Sequence, residues 1–159
     1  MNETPTAARK GARVLNGECL CGRVRYAITG TPRFMYQCHC ATCRAASGAS
    51  FVTNVVVDTG KFEIRAGKER LGAFESSPGK IRYFCKECGS PIYSHAEATK
   101  QIVSVRCGTL KDDPGLRVAY HAFAAEKAPW VEIHDDLPRF ADWADPGLVK
   151  RLFSGEKDT

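Results

Sequence analysis

The sequence predicts a mainly β domain with few short helices. Three observations carry that expectation. Apolar and polar residues alternate in short runs, as in Arg23-Val24-Arg25-Tyr26-Ala27-Ile28 and Ile81-Arg82-Tyr83-Phe84, and a period of two marks a half-buried strand. Gly30-Thr31-Pro32, Gly60, Gly67 and Ser77-Pro78-Gly79 punctuate the runs at short intervals. Only residues 41–46 and 148–153 read as helical, each for a turn or two.

With 159 residues, one domain is expected, over residues 14–153. A chain of this size buries a sizeable core, so metal is not needed merely to rescue a tiny fold. No apolar run approaches the roughly 18 residues of a membrane span. Residues 1–13 are small and polar, with Arg9, Lys10 and Arg13 but no apolar leader segment. They read as a disordered tail, as do residues 154–159, and the chain reads as cytoplasmic.

In chain order, Val14 and Leu15 lead into Cys19-Leu20-Cys21-Gly22, and residues 23–28 form the first strand. Residues 34–37 form a second strand that delivers Cys38-His39-Cys40-Ala41-Thr42-Cys43-Arg44. The short helix over 41–46 follows, ended by Ser47-Gly48. Residues 51–57 are rich in β-branched side chains and read as a strand. Residues 62–65, 71–74 and 81–84 alternate again, and the last of these leads into Cys85-Lys86-Glu87-Cys88-Gly89. Strands at 92–93, 102–105 and 118–123 complete the β pattern. The aromatic, proline-punctuated stretch 129–140 wraps the sheet.

Seven of the eight cysteines fall in three short clusters, which either metal or disulfides must explain. Eight in 159 is about 5%, below the roughly 8–10% of a disulfide scaffold. In C-x-C on an extended segment both thiols point to one face. In C-x-x-C-G a sharp turn aims both at one point, and glycine supplies the backbone freedom. Cys19, Cys21, Cys85 and Cys88 thus complete one four-thiolate zinc site. Cys38, Cys40 and Cys43 form a second with three protein ligands and an open position, the way catalytic zinc is built. The alternative is a wholly structural pair of sites, with a fourth ligand from His39, His95, His121 or Cys107.

The formal net charge is +5. Coordinated thiols are deprotonated, so two loaded zinc sites would lower it to about +2. A modest surplus suits a small anionic substrate. It argues against nucleic acid, which asks for a concentrated basic stripe.

The cysteine clusters with their surroundings resemble the glutathione-dependent formaldehyde-activating enzyme family, which also includes centromere protein V. The resemblance lies in Gly17-Glu18-Cys19-Leu20-Cys21-Gly22, Cys38 to Arg44 with Gly48 and Phe51, and Phe84 to Ser90. It continues in Gly108-Thr109-Leu110, His121 and Lys127-Ala128-Pro129-Trp130. It implies a tent-like, zinc-bearing fold of stacked antiparallel sheets. It also implies two zinc ions per chain, one structural on the outer four cysteines and one catalytic on the middle three. The implied activity is that of a carbon–sulfur lyase, S-(hydroxymethyl)glutathione synthesis from formaldehyde and glutathione. A second class of function stays open, a zinc-stabilised β module that binds a partner without chemistry.

Beside the metal, Arg44 is the expected clamp for a glutathione carboxylate, since guanidinium pairs carboxylate bidentately. His39 either shuttles protons or points away from the metal by alternation. His121 reads as a core histidine capped by a carbonyl, Asp135-Asp136 as turn chemistry, and Cys107 as a buried free thiol.

Overall fold

The computed structural model describes residues 12–155, so the expected tails lie almost wholly outside the described residues. The strands are β1 (Val14–Glu18), β2 (Arg25–Thr29), β3 (Phe34–Cys38), β4 (Val52–Asp58) and β5 (Phe62–Ala66). They continue as β6 (Leu71–Ser77), β7 (Lys80–Cys85), β8 (Pro91–Ala96), β9 (Ile102–Arg106) and β10 (Val118–Ala122). Two helices, α1 (Ala41–Ser47) and α2 (Pro146–Ser154), complete the regular structure apart from single 3-10 turns.

The strands form two sheets, in the orders β1-β2-β5 and β10-β3-β4-β9-β8-β7-β6. All pairings are antiparallel except β10 with β3, which is parallel. The mainly β expectation holds, with this one parallel pair as its departure from purely antiparallel sheets. Between β9 and β10 the chain runs past β1, where Lys111 N donates to Asn16 O, and then reaches the edge of β3. Residues 138–142 then run beside β10, where Pro138 O accepts from His121 N, and Phe140 N donates to His121 O.

Alternation sorts the large sheet into two faces. Met35, Val55, Val57, Val103 and Val105 share one core with Leu15, Tyr26 and Ile28 of the small sheet. Phe34, Tyr36, Cys38, Val56 and Tyr120 belong to a second core on the opposite face, where Leu148, Val149, Leu152 and Phe153 of α2 pack. Val55, Val56 and Val57 are therefore consecutive and all buried, as expected of a central strand covered on both sides. Each such side chain contributes about 1.5–3 kcal/mol of burial.

Local chemistry sets the helix ends. Cys40 caps α1, its Sγ accepting from Cys43 N at 3.3 Å, and Gly48 closes it at φ +66°. For α2, Asp145 Oδ1 accepts from Gly147 N at 2.8 Å and Leu148 N at 3.1 Å, and Pro146 occupies the first turn. The helix is longer than the residues 148–153 expected, because this cap starts it two residues earlier.

The first strand, β1, has no alternating signature of its own. Val-Leu-Asn-Gly-Glu has poor strand propensity, and pairing with β2 decides its state. Gly17 is needed there, since a Cβ at this position would stand 2.0 Å from the Tyr26 ring. Tyr26 is buried and its hydroxyl is 2.8 Å from Thr109 Oγ1, so the ring cannot step aside freely. Gly17→Ala is expected to cost about 1–3 kcal/mol by overpacking. Thermal melting checks this, and an unchanged midpoint would mean the β1–β2 contact is looser than described.

Candidate metal centres and active site

The outer cluster forms where two distant turns meet. Cys19 follows β1, and Gly22 N donates to Cys19 O at 2.9 Å, so Cys19-x-Cys21 is a tight turn rather than the extended segment expected. Cys85 ends β7, and Gly89, at φ +75°, donates its N–H to Cys85 O at 2.9 Å, which is the turn anticipated for C-x-x-C-G. The four Sγ atoms lie within 4.8 Å of one another, with Cys19 to Cys21 at 3.5 Å and Cys21 to Cys85 at 3.8 Å. Four thiolates about 2.3 Å from a central ion would stand about 3.8 Å apart, so the cluster fits a tetrahedral metal. The same separations exceed a disulfide's roughly 2.05 Å, and all eight cysteines are free thiols.

Hydrogen bonds support these sulfurs. Val24 N donates to Cys19 Sγ at 3.3 Å. The Ser90 hydroxyl accepts from Leu20 N at 3.0 Å and stands 3.3 Å from Cys88 Sγ, where it draws the Cys88 thiol down to about 5. A thiol so biased toward thiolate is ready to ligate.

The middle cluster sits where β3 hands over to α1. Cys38 ends the strand, Cys40 caps the helix and Cys43 lies in its first turn. Their sulfurs fall within 4.8 Å of one another, with Cys38 to Cys40 at 3.5 Å. No fourth His, Cys, Asp or Glu among the described residues joins them. The neighbouring Cys38 and Cys40 thiols hold the Cys43 thiol well below its usual range, and Arg82 adds to this against the effect of burial. Arg82 Nη2 is 3.7 Å from Cys43 Sγ. The Cys38 thiol is pushed up by Cys40 and Cys43, so the cluster's negative charge rests first on Cys43.

All three middle cysteines line a cavity of about 800 Å³ over the second face of the large sheet. A neighbouring cavity of about 620 Å³ shares Thr42, Cys43, Arg82 and Arg106 with it. None of the four outer cysteines lines either. The two clusters thus differ in setting, one a clip between two turns with Cys21 exposed and the other lining a cavity.

His39 and Arg44 line neither cavity. Alternation turns His39 away from the metal cluster, where it is fully buried against Phe51 and His121. Its Nε2 is 3.0 Å from His121 Nδ1, and His121 Nε2 is 3.1 Å from each Asp135 carboxylate oxygen. A carboxylate accepts, so His121 donates through Nε2 to Asp135. His39 Nδ1 is buried and has no hydrogen-bond partner among the described residues. Burial, then the neighbouring His121, holds the His39 imidazole in its neutral form. The expected carbonyl cap on His121 is therefore a histidine and a carboxylate instead. Asp135 also accepts from Leu137 N at 3.1 Å, so its turn role stands beside this one.

Arg44 spends its guanidinium on backbone carbonyls, of His39 at 3.2 Å and Glu126 at 3.3 Å. Glu126 in turn accepts from Ala41 N at 2.9 Å. These bonds clamp the β3–α1 junction that aims the thiols. Cys107 packs against the core between the sheets, on the face away from the middle cluster, and burial pushes its thiol up to about 11.

Three cavity residues escaped the sequence reading. Lys80 and Arg82 on β7 and Arg106 on β9 face the middle cysteines. The alternation of Lys80, Arg82 and Phe84 was the available signal, since it puts two cations on one face of one strand.

No helix of the described residues is long and apolar enough to cross a membrane. The family described as glutathione-dependent formaldehyde-activating enzyme matches residues 14–126. A protein of Aspergillus flavus named "Putative glutathione-dependent formaldehyde-activating enzyme" is 31% identical over 126 residues, covering 77% of this chain and 56% of that protein. An "Uncharacterized lyase" of Schizosaccharomyces pombe is 35% identical over 78 residues, covering 48% of this chain and 54% of that protein. The chain spans about half the length of the curated relatives it matches. Its fold is similar to that of a Rhodobacter sphaeroides protein solved by crystallography, with a TM-score of 0.53 at 19% identity over 62% of this chain and 89% of the other. With the cysteine clusters assembled in space and the match running from β1 to beyond β10, the chain belongs to the glutathione-dependent formaldehyde-activating enzyme family.

Proposed function

We propose that the protein is a two-zinc enzyme of the carbon–sulfur lyase class. It acts on the adduct of a thiol, such as glutathione, with formaldehyde or a related small carbonyl, as S-(hydroxymethyl)glutathione synthase does. One zinc is structural, on Cys19, Cys21, Cys85 and Cys88. The other is catalytic, on Cys38, Cys40 and Cys43. The observation that carries this reading is the contrast between the clusters, since only the three-thiol cluster opens into a cavity and no fourth protein ligand joins it. The names borne by the relatives favour the same chemistry.

A zinc held by three thiolates would supply an open position and favour the thiolate form of a substrate thiol. The chain does the rest. Arg82 holds positive charge at the Cys43 sulfur. The aromatic rings of Phe34, Tyr36 and Tyr120 line the cavity that the cluster shares. Neutral His39, bonded to His121, keeps the loop between Cys38 and Cys40 in one conformation. Free thiols throughout suit a reducing compartment, which supports the cytoplasm as the site of action.

The test is exchange between free formaldehyde, a thiol and their adduct, followed by NMR at equilibrium. Glutathione is the first thiol to use. The uncatalysed reaction is itself fast, so a Cys43→Ser sample at equal protein concentration is the control. Exchange faster than in the control is expected. Exchange no faster than in the control, with glutathione and with other small thiols alike, would remove the assignment.

A further inference from the structure

We propose that Lys80, Arg82 and Arg106 form an anion subsite in the same cavity, and that the substrate is a carboxylate with an apolar body. This deepens the reading of the middle cluster as the reaction centre and rests on it for where the thiol or carbonyl group sits.

The three cations come from the face of the large sheet that carries the thiols. Register pairs Lys80 with Ala96, Arg82 with Ser94, and Ser94 with Ser104. Small side chains of β8 and β9 thus lie between the long cations of β7 and Arg106, which leaves a hollow rather than a packed layer. Ala96, Ser94 and Ser104 all line the cavity there.

No carboxylate neutralises the three. None of them takes part in an ion pair among the described residues, and the Lys80 ammonium has no hydrogen-bond partner there. Glu126, the acidic residue of the lining, is committed to Ala41 N. Burial first, then the guanidiniums of Arg106 and Arg82, lowers the affinity of Lys80 for its proton, and the Cys43 and Cys38 thiols oppose this. Like charges are brought together in a cavity at a cost, and an anionic ligand offsets that cost.

Donors on all three cations remain free for an anion's oxygens. Arg82 already gives Nε to Ser76 Oγ at 2.8 Å and Nη2 to Cys43 Sγ at 3.7 Å. Arg106 gives Nη1 to Asn54 Oδ1. Each guanidinium has one edge engaged, and the Lys80 ammonium is left whole. A carboxylate can accept from this remainder on both of its oxygens.

The opposite wall sets the rest of the ligand. Phe34, Tyr120, Phe123, Trp143, Val149 and Phe153 line the cavity away from the cations. Such a wall gains nothing from the polar peptide of glutathione and much from an aryl or alkyl body. The cavity has the volume of a site for a drug-sized molecule, far above the need of formaldehyde alone.

Calorimetry on the zinc-loaded full chain tests this with 3-phenylpropanoate, which has the body and the carboxylate but neither thiol nor aldehyde. It is expected to bind about tenfold or more tightly than 3-phenylpropanamide and than acetate. Lys80→Met should reduce the preference for acid over amide several-fold, and Lys80→Arg should restore most of it. Lys80→Gln carries the comparison if Lys80→Met melts far below the parent. Equal binding of acid and amide, or a preference unchanged by the loss of the Lys80 charge, would overturn the inference. A second probe, 2-mercapto-3-phenylpropanoate, separates this from the reading it rests on. Extra affinity from the thiol that vanishes in Cys43→Ser supports the middle cluster as reaction centre. Thiol affinity without an acid preference overturns the subsite alone, and an acid preference without thiol affinity supports the subsite while the reaction-centre reading falls.

Discussion

Cys85→Ser is expected to lower stability by about 5 kcal/mol or more, because a serine hydroxyl stays protonated and does not replace a thiolate ligand. Structural zinc contributes roughly 10–16 kcal/mol of binding free energy in small peptides, and that energy is folding energy. Whole domains are stable by only about 5–15 kcal/mol, so loss of this clip is comparable to the entire margin. The clip joins positions 64 residues apart, from the turn after β1 to the end of β7, and it ties the small sheet to the large one. Cys85 is also fully buried in the core between the sheets, where a new hydroxyl loses water. The melting midpoint should fall by roughly 10–20 °C for a domain of this size. Calorimetric melting and elemental analysis check this together. A variant that melts within a few degrees of the parent would show that the outer cluster is not a metal clip.

Cys43→Ser should behave in the opposite way. It removes a ligand at the mouth of a cavity and leaves the other six clustered cysteines in place, so its cost should be about 1 kcal/mol, a few degrees in the melt. The zinc content should fall from two ions per chain to one, with the outer site intact. Catalysed exchange should fall by more than about a hundredfold, the upper range for loss of a residue that merely supports a ligand. The charge of the cluster rests first on this sulfur, and Arg82 is aimed at it, so no remaining thiol takes its place. If Cys43→Ser melts as low as Cys85→Ser, the middle cluster is structural as well, and the enzymatic reading loses its main support.

Most strands were legible because their physics is local. Alternation at residues 62–65 survives folding, since Phe62 and Ile64 pack on the core between the sheets while Glu63 and Arg65 are exposed. In contrast, β6 shows no such alternation in burial, and β9 is buried along nearly its whole length. The capping thiol of Cys40 and the left-handed Gly48 likewise act within one helix, and α1 was readable to within a residue. By contrast, β1 borrows its state from β2, and the parallel β10–β3 pair joins segments some 80 residues apart, a partnership no window of sequence contains.

The sequence by itself determined the partition of seven cysteines into a four and a three, because spacing dictates which thiols can reach a common point. It also determined the alternation that makes the sheet two-faced. Only the tertiary structure decided which charged groups surround the open cluster. Arg44, nearest in sequence, is turned to backbone carbonyls, and His39 is turned into a buried chain with His121 and Asp135. Lys80, Arg82 and Arg106, some 40 to 70 residues away, take the places beside the thiols. The physical reason is that a strand's two faces go to different neighbours. Adjacency along the chain sends side chains to opposite sides of the sheet, while strands brought together by hydrogen bonds deliver their side chains to the same side.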